Sequence, residues 1–157
     1  MMTIKFLALE TSTVRALQAG GRDANNMLPE REISPGGGMP CRHCLCDIEA
    51  GEEMLIIAYC PFETVQPYAE QGPIFLHGKK CTRHEDAALP PSMFLEREQY
   101  LIRGYTSEER IQYGTGKVVK TGSLADACAT ILSDQKIEYI HVRSASNNCY
   151  QCRVERE

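Results

Sequence analysis

Long apolar runs are missing from this sequence. No stretch approaches the roughly 20 residues needed to span a bilayer, which argues against a membrane-spanning helix. Basic runs are missing as well. The 17 Lys and Arg are interspersed among 21 Asp and Glu, with a net charge of -4 and a pI near 5.6. That leaves no electrostatic footprint for nucleic acid or for an anionic membrane surface. The opening MMTIKFLALETS carries one lysine and a short apolar run cut off by Glu10, without a signal-peptide core or a small-residue cleavage site. Repeats and long linkers are absent too. These absences predict a soluble cytoplasmic protein, one domain over residues 1–157, with neither nucleic acid nor membrane as a partner. At 157 residues and 43% hydrophobic content the chain can bury its own core without staples.

Cysteine, by contrast, is plentiful. In a reducing compartment eight cysteines default to buried thiols, metal ligands or catalytic groups rather than disulfides. Their setting follows from the elements around them. Thr3 to Leu9 alternates as a first strand, and Thr11 or Ser12 can cap a short helix ended by Gly20-Gly21. Arg22 to Met39, including SPGGGMP, reads as a connection able to carry function. Met54 to Tyr59 is a buried strand, with CRHCLCDI as its expected hairpin partner across Glu49 to Glu52. Further strands are expected at Ile74 to His77, Gln99 to Thr106 and within Arg110 to Val119. A helix capped by Ser123 and Asp126 carries Leu124, Ala127, Cys128, Ile131 and Leu132 on one stripe. Ile137 to Arg143 and Cys149 to Val154 close the chain as a hairpin. The order predicts an α+β fold, a mainly antiparallel sheet with about two helices.

Cys60 and Cys128 read as core thiols. Two Cys-x-x-Cys pairs, Cys41/Cys44 and Cys149/Cys152, have the spacing of zinc ligands, and together they would supply four thiolates. On extended strands, however, side chains three apart point to opposite faces. Neither pair carries the Gly or Pro that would build a chelating turn, and they lie about a hundred residues apart. No metal site is therefore assigned to them. A thioredoxin-like pair would need a helix starting at its first cysteine, and a Gly-containing turn follows instead. Cys81-Thr-Arg-His84, with His77 nearby, is a third half-site on a polar loop.

On the terminal hairpin the register decides which side chains meet. A two-residue turn at Asn147-Asn148 separates His141 from Cys149. A three-residue loop sets His141 opposite Arg153 and gathers His141, Arg143, Cys149, Gln151 and Arg153 on one face. Arginines beside a thiol favour the thiolate, an imidazole can exchange its proton, and guanidinium groups grip carboxylate or phosphate.

PCR at Pro40 to Arg42, the Gly-Glu turn before the buried strand, Pro67-Tyr68, GPIF at Gly72 to Phe75, LIRGY at Leu101 to Tyr105, YIHVRSASNNC at Tyr139 to Cys149 and the closing RVER run in one order. Together they resemble the bacterial family called domain of unknown function 1203, over about residues 3–156. The residues matching it one for one are Cys41, Arg42, Arg103, His141, Cys149 and Arg153. The family pattern at the hairpin, His-x-His-Asn-Ala followed by Gly-Cys, has Arg143, Ser144 and Asn148 here in place of the second His, the Asn and the Gly. The resemblance leaves the cofactor unknown and carries no established activity.

Joined, these readings place a polar site between the CRHC segment and the terminal hairpin. Cys41 or Cys149 would be its nucleophile, His141 the acid-base partner, and Arg42, Arg103, Arg143 and Arg153 the grip on a small anionic ligand. Two rivals stand beside it: a zinc protein built on the Cys-x-x-Cys pairs or the Cys81/His84 loop, and a non-catalytic interaction module meeting an acidic partner.

Overall fold

The computed structural model describes residues 2–157 and contains two antiparallel sheets. Strands β1 (Ile4–Leu7), β5 (Gln99–Tyr105), β6 (Lys117–Lys120), β7 (Tyr139–Ser144) and β8 (Tyr150–Arg156) form the larger one in the order β1-β8-β7-β5-β6. Strands β2 (Glu30–Ile33), β3 (Glu53–Tyr59) and β4 (Gly72–His77) form the smaller. Helices α1 (Thr11–Gln18) and α2 (Leu124–Leu132) complete the α+β fold with two short 3-10 turns. None of the described helices is long and apolar enough to cross a membrane.

Each face of the larger sheet has its own chemistry, because side chains alternate along a strand. Ile102, Ile140, Val142, Cys152 and Val154 point to one side and pack with Leu124, Cys128, Ile131 and Leu132 of α2. Fully burying one such aliphatic side chain contributes about 1.5–3 kcal/mol. Gly104 lets this layer close: a Cβ there would lie 3.1–3.2 Å from Ile137, Thr115 and Ile131 side-chain atoms. The opposite face carries Tyr105, Tyr139, His141 and Tyr150, with Phe62 from the β3–β4 connection laid over them. Tyr150 also belongs to the core of the smaller sheet, so it joins the two.

Four expectations change. Glu10, rather than Thr11 or Ser12, stands at the N-cap of α1, and its side chain makes no capping hydrogen bond. β2 arises within the predicted connection, and all four of its residues are exposed, so no apolar alternation marks it. Ser123 stands at the N-cap of α2, yet its side chain makes no capping hydrogen bond, because a 3-10 turn over Thr121–Ser123 leads in. The segment CRHCLCD is a turn rather than a strand: Pro40 bridges Asp47, and Leu45 donates its N–H to the Cys41 carbonyl at 2.9 Å.

Candidate functional site

That turn overturns the objection to Cys41 and Cys44 as a chelating pair. Leu45 takes a positive φ of 54°, the left-handed conformation usually given to glycine at the end of such a turn. The cost for a residue with a Cβ, of order 1–3 kcal/mol, is offset by burying the leucine side chain completely in the core of the larger sheet. The chain reverses, and the sulfurs of Cys41 and Cys44 converge instead of pointing apart. Cys46, two residues after Cys44, is left exposed.

Two further ligands come from the end of β4. His77 is its last residue, paired with Met54 of β3, and Cys81 follows on the next loop. Helix α1 fixes that loop. Gln18 donates to the carbonyls of His77 and Lys79 at 2.9 and 2.8 Å, and Arg15 donates to the Cys81 carbonyl at 2.8 Å. A parallel bridge between Cys41 and Phe75 docks the Cys41 turn against the same strand. One ligand atom from each of Cys41, Cys44, His77 and Cys81 then lies within 4.8 Å of every other.

The spacings within this cluster are close to those a tetrahedral metal site requires. The sulfurs of Cys41 and Cys81 are 4.0 Å apart, and the Cys44 sulfur is 3.5 Å from Nδ1 of His77. Tetrahedral zinc with the usual bond lengths separates sulfur from sulfur by about 3.8 Å and sulfur from nitrogen by about 3.6 Å. Outer groups orient the ligands. Nε2 of His77 faces the Glu52 carboxylate at 3.2 Å, leaving Nδ1 for the cluster. The backbone N–H of His77 points at the Cys41 sulfur at 3.3 Å. His43, fully buried, sets Nδ1 3.0 Å from the Cys81 sulfur and Nε2 2.9 Å from the Thr11 hydroxyl. Burial pushes the His43 pKa down. With the proton on Nδ1 the ring would donate to the Cys81 sulfur and accept from Thr11.

Without a cation the four groups share their protons unevenly. Hydrogen bonds from the Cys44 and Cys81 thiols, together with His77, hold Cys41 well below the ordinary thiol range. The Cys41 thiolate in turn pushes Cys44 up, raises Cys81 to about 11 and raises His77 to about 10.

The other residues singled out from the sequence lie elsewhere. Cys152 is fully buried in the core that includes Cys128, so the two Cys-x-x-Cys pairs do not form one site. His84 stays outside the cluster, its backbone N–H bonded to the His43 carbonyl at 2.9 Å. His141 does face Arg153, as the second register requires. A bulge after Val142 then sets Arg143 opposite Tyr150, so Tyr150 rather than Cys149 packs on the imidazole, with ring centroids 5.0 Å apart. Both ring nitrogens of His141 are buried without a partner. Desolvation, then Arg143, Arg153 and Arg103, drives its pKa well below the usual histidine value. Cys41, His141 and Cys149 make no hydrogen bond to one another: Cys41 belongs to the cluster, and the nearest acceptor for the Cys149 thiol is the Asn147 carbonyl at 3.8 Å.

The arginines divide into two kinds. Arg103 is paired with Glu70 at 3.2 Å. Arg153 is paired with Glu155, and its guanidinium lies 3.8 Å from the Tyr139 ring centroid. Arg42 and Arg143 are almost completely buried. Arg42 donates to the carbonyls of Tyr150 and Pro40 at 2.8 and 2.6 Å, and burial lowers its pKa to about 10.

Sequence reasoning found Cys41, Cys44, Cys81 and His77 as fragments of separate half-sites but not as one set. The signal available was a pair of Cys/His doublets, Cys41-x-x-Cys44 and His77-x-x-x-Cys81, flanking one β-hairpin.

No curated protein and no solved structure matches the chain. A family model described as "Protein of unknown function (DUF1203)" matches residues 38–156. The match takes in all four residues of the cluster and the whole terminal hairpin, and the chain belongs to the DUF1203 family.

Proposed function

We propose that this protein binds one zinc ion through Cys41, Cys44, His77 and Cys81. The observation that carries the reading is the convergence of three sulfurs and one imidazole nitrogen within 4.8 Å, from two chain segments held by separate hydrogen-bond networks. Soft thiolates with one imidazole select zinc over magnesium or calcium, which prefer oxygen. Four protein ligands complete a tetrahedron and leave no open position for water or substrate, the arrangement of a structural rather than a catalytic zinc. The Glu52–His77 contact and the His43–Cys81 contact supply the outer partners that zinc ligands ordinarily have. In this role the ion ties the Cys41 turn to the end of β4 and to the following loop, which helix α1 already holds.

The test is elemental analysis of protein purified without chelator, beside Cys81→Ser and Cys149→Ser variants. One equivalent of zinc in the native and Cys149→Ser proteins, and its loss in Cys81→Ser, supports the assignment. Protein without zinc that also fails to take it up from solution refutes it. Zinc that survives Cys81→Ser and leaves with Cys149→Ser would move the site to the Cys-x-x-Cys pairs.

A further inference from the structure

The terminal hairpin carries a second feature that zinc does not explain. A buried guanidinium needs compensation, because taking a charge out of water costs several kcal/mol unless it is paired and hydrogen-bonded. Among the described residues, neither Arg42 nor Arg143 is within salt-bridge distance of a carboxylate. Arg143 is 5% exposed. Its Nη1 donates to the Asn148 carbonyl at 3.2 Å, while Nε and Nη2 make no well-formed hydrogen bond, the Tyr105 hydroxyl being the polar group beside the guanidinium. Those two N–H groups form the edge of a guanidinium that takes a carboxylate or phosphate side-on with two parallel hydrogen bonds.

Space is present on both sides. Arg143 lines a cleft of about 230 Å³ together with Asn148, Cys149 and Tyr150. Arg42 lines a second cleft of about 400 Å³ with Tyr100, Ser144 and Gln151. Asn147 and Cys149 border both. The surroundings of Arg143 add positive charge, since Arg103 and Arg153 also act on the neighbouring His141. Glu70 also lines the cleft at Arg143, where Arg103 engages its carboxylate at 3.2 Å, and Arg153 is paired with Glu155.

We propose that the Ala145–Asn148 loop and Cys149 form a binding site for a small oxyanion, a carboxylate or phosphate group, met by Arg143 from one cleft and Arg42 from the other. The site is separate from the zinc cluster and needs no metal. Its ligand is small, because the cleft at Arg143 encloses only about 230 Å³.

Thermal unfolding of the native protein, purified without chelator, tests this in sodium phosphate and in sodium malonate against sodium chloride at equal ionic strength. At a hundredfold excess over the half-saturating concentration, a bound anion raises Tm by roughly 5–10 °C for a domain of this size. The rise saturates, and it vanishes in Arg143→Met, a variant that keeps the apolar stem and removes the buried charge. Saturation by phosphate alone assigns a phosphoryl ligand, and saturation by malonate alone assigns a carboxylate. An unsaturating rise of equal size in native protein and Arg143→Met is the general effect of excluded salts and overturns the proposal. If Arg143→Met does not fold, the native protein still decides. Peptide-resolved alkylation of Cys149 by iodoacetamide should slow roughly tenfold with the effective probe at ten times its half-saturating concentration, and an unchanged rate overturns the site.

Discussion

Replacing His141 with phenylalanine separates a catalytic histidine from a buried one. The imidazole is fully buried, has neither nitrogen hydrogen-bonded, and lies among the rings of Phe62, Tyr105, Tyr139 and Tyr150 with Arg103, Arg143 and Arg153 as the charged neighbours. Its folded pKa is depressed well below 6.5, so the unfolded chain binds the proton more readily. The stabilising contribution is complete above pH 6.5 and is lost as pH falls below that value, at about 1.4 kcal/mol per pH unit while the folded imidazole stays neutral. Between pH 7.5 and 5.0 this group alone removes about 2 kcal/mol. Phenylalanine cannot titrate and leaves no unpaired nitrogen, and each unpaired buried group costs about 1–3 kcal/mol. His141→Phe should therefore fold, match or exceed native stability at pH 7.5, and lose about 2 kcal/mol less on acidification. Urea denaturation of both proteins at the two pH values measures this. The difference between them cancels what the carboxylates and other histidines contribute. Equal pH slopes, or collapse of the variant at pH 7.5, would refute the assignment of a neutral, structurally isolated imidazole.

The remaining predictions concern the cluster and the core. A zinc ion held as proposed would join residues 44 and 77, and closing a loop of that length stabilises by about 4 kcal/mol on the chain-entropy relation used for disulfides. Chelation should then lower Tm by roughly 8–16 °C, and calorimetry with and without added zinc checks it. Glu52→Gln should leave the ion bound but weaken it by roughly 10–100-fold, read by competition with a chromogenic chelator; an unchanged affinity would remove Glu52 from the outer shell. Cys152→Ala should destabilise the fold by about 1 kcal/mol through lost core packing and keep a full equivalent of zinc, as denaturation and elemental analysis would show together.

Much of the architecture was legible in the residues, because strand and helix periodicities are local. The strand at Met54 to Tyr59, the helix over Leu124 to Leu132 and the closing hairpin lie within a residue or two of where alternation and spacing predict them. β2 was not legible, since its Glu30–Ile33 residues are exposed on both faces and leave no pattern. The Cys41 turn was hidden by Leu45. A left-handed leucine is disfavoured locally and persists because the core takes its side chain.

The sequence by itself determined the class: the antiparallel α+β layout, the family and the stock of thiols, imidazoles and guanidinium groups. Tertiary structure alone decided which of them meet. The β3–β4 ladder brings His77 and Cys81 back beside Cys41 and Cys44, and a single bulge at Val142–Arg143 puts Tyr150 against His141 in place of Cys149. Both outcomes rest on register, where one residue of slip turns a side chain to the opposite face, and no local propensity encodes that choice.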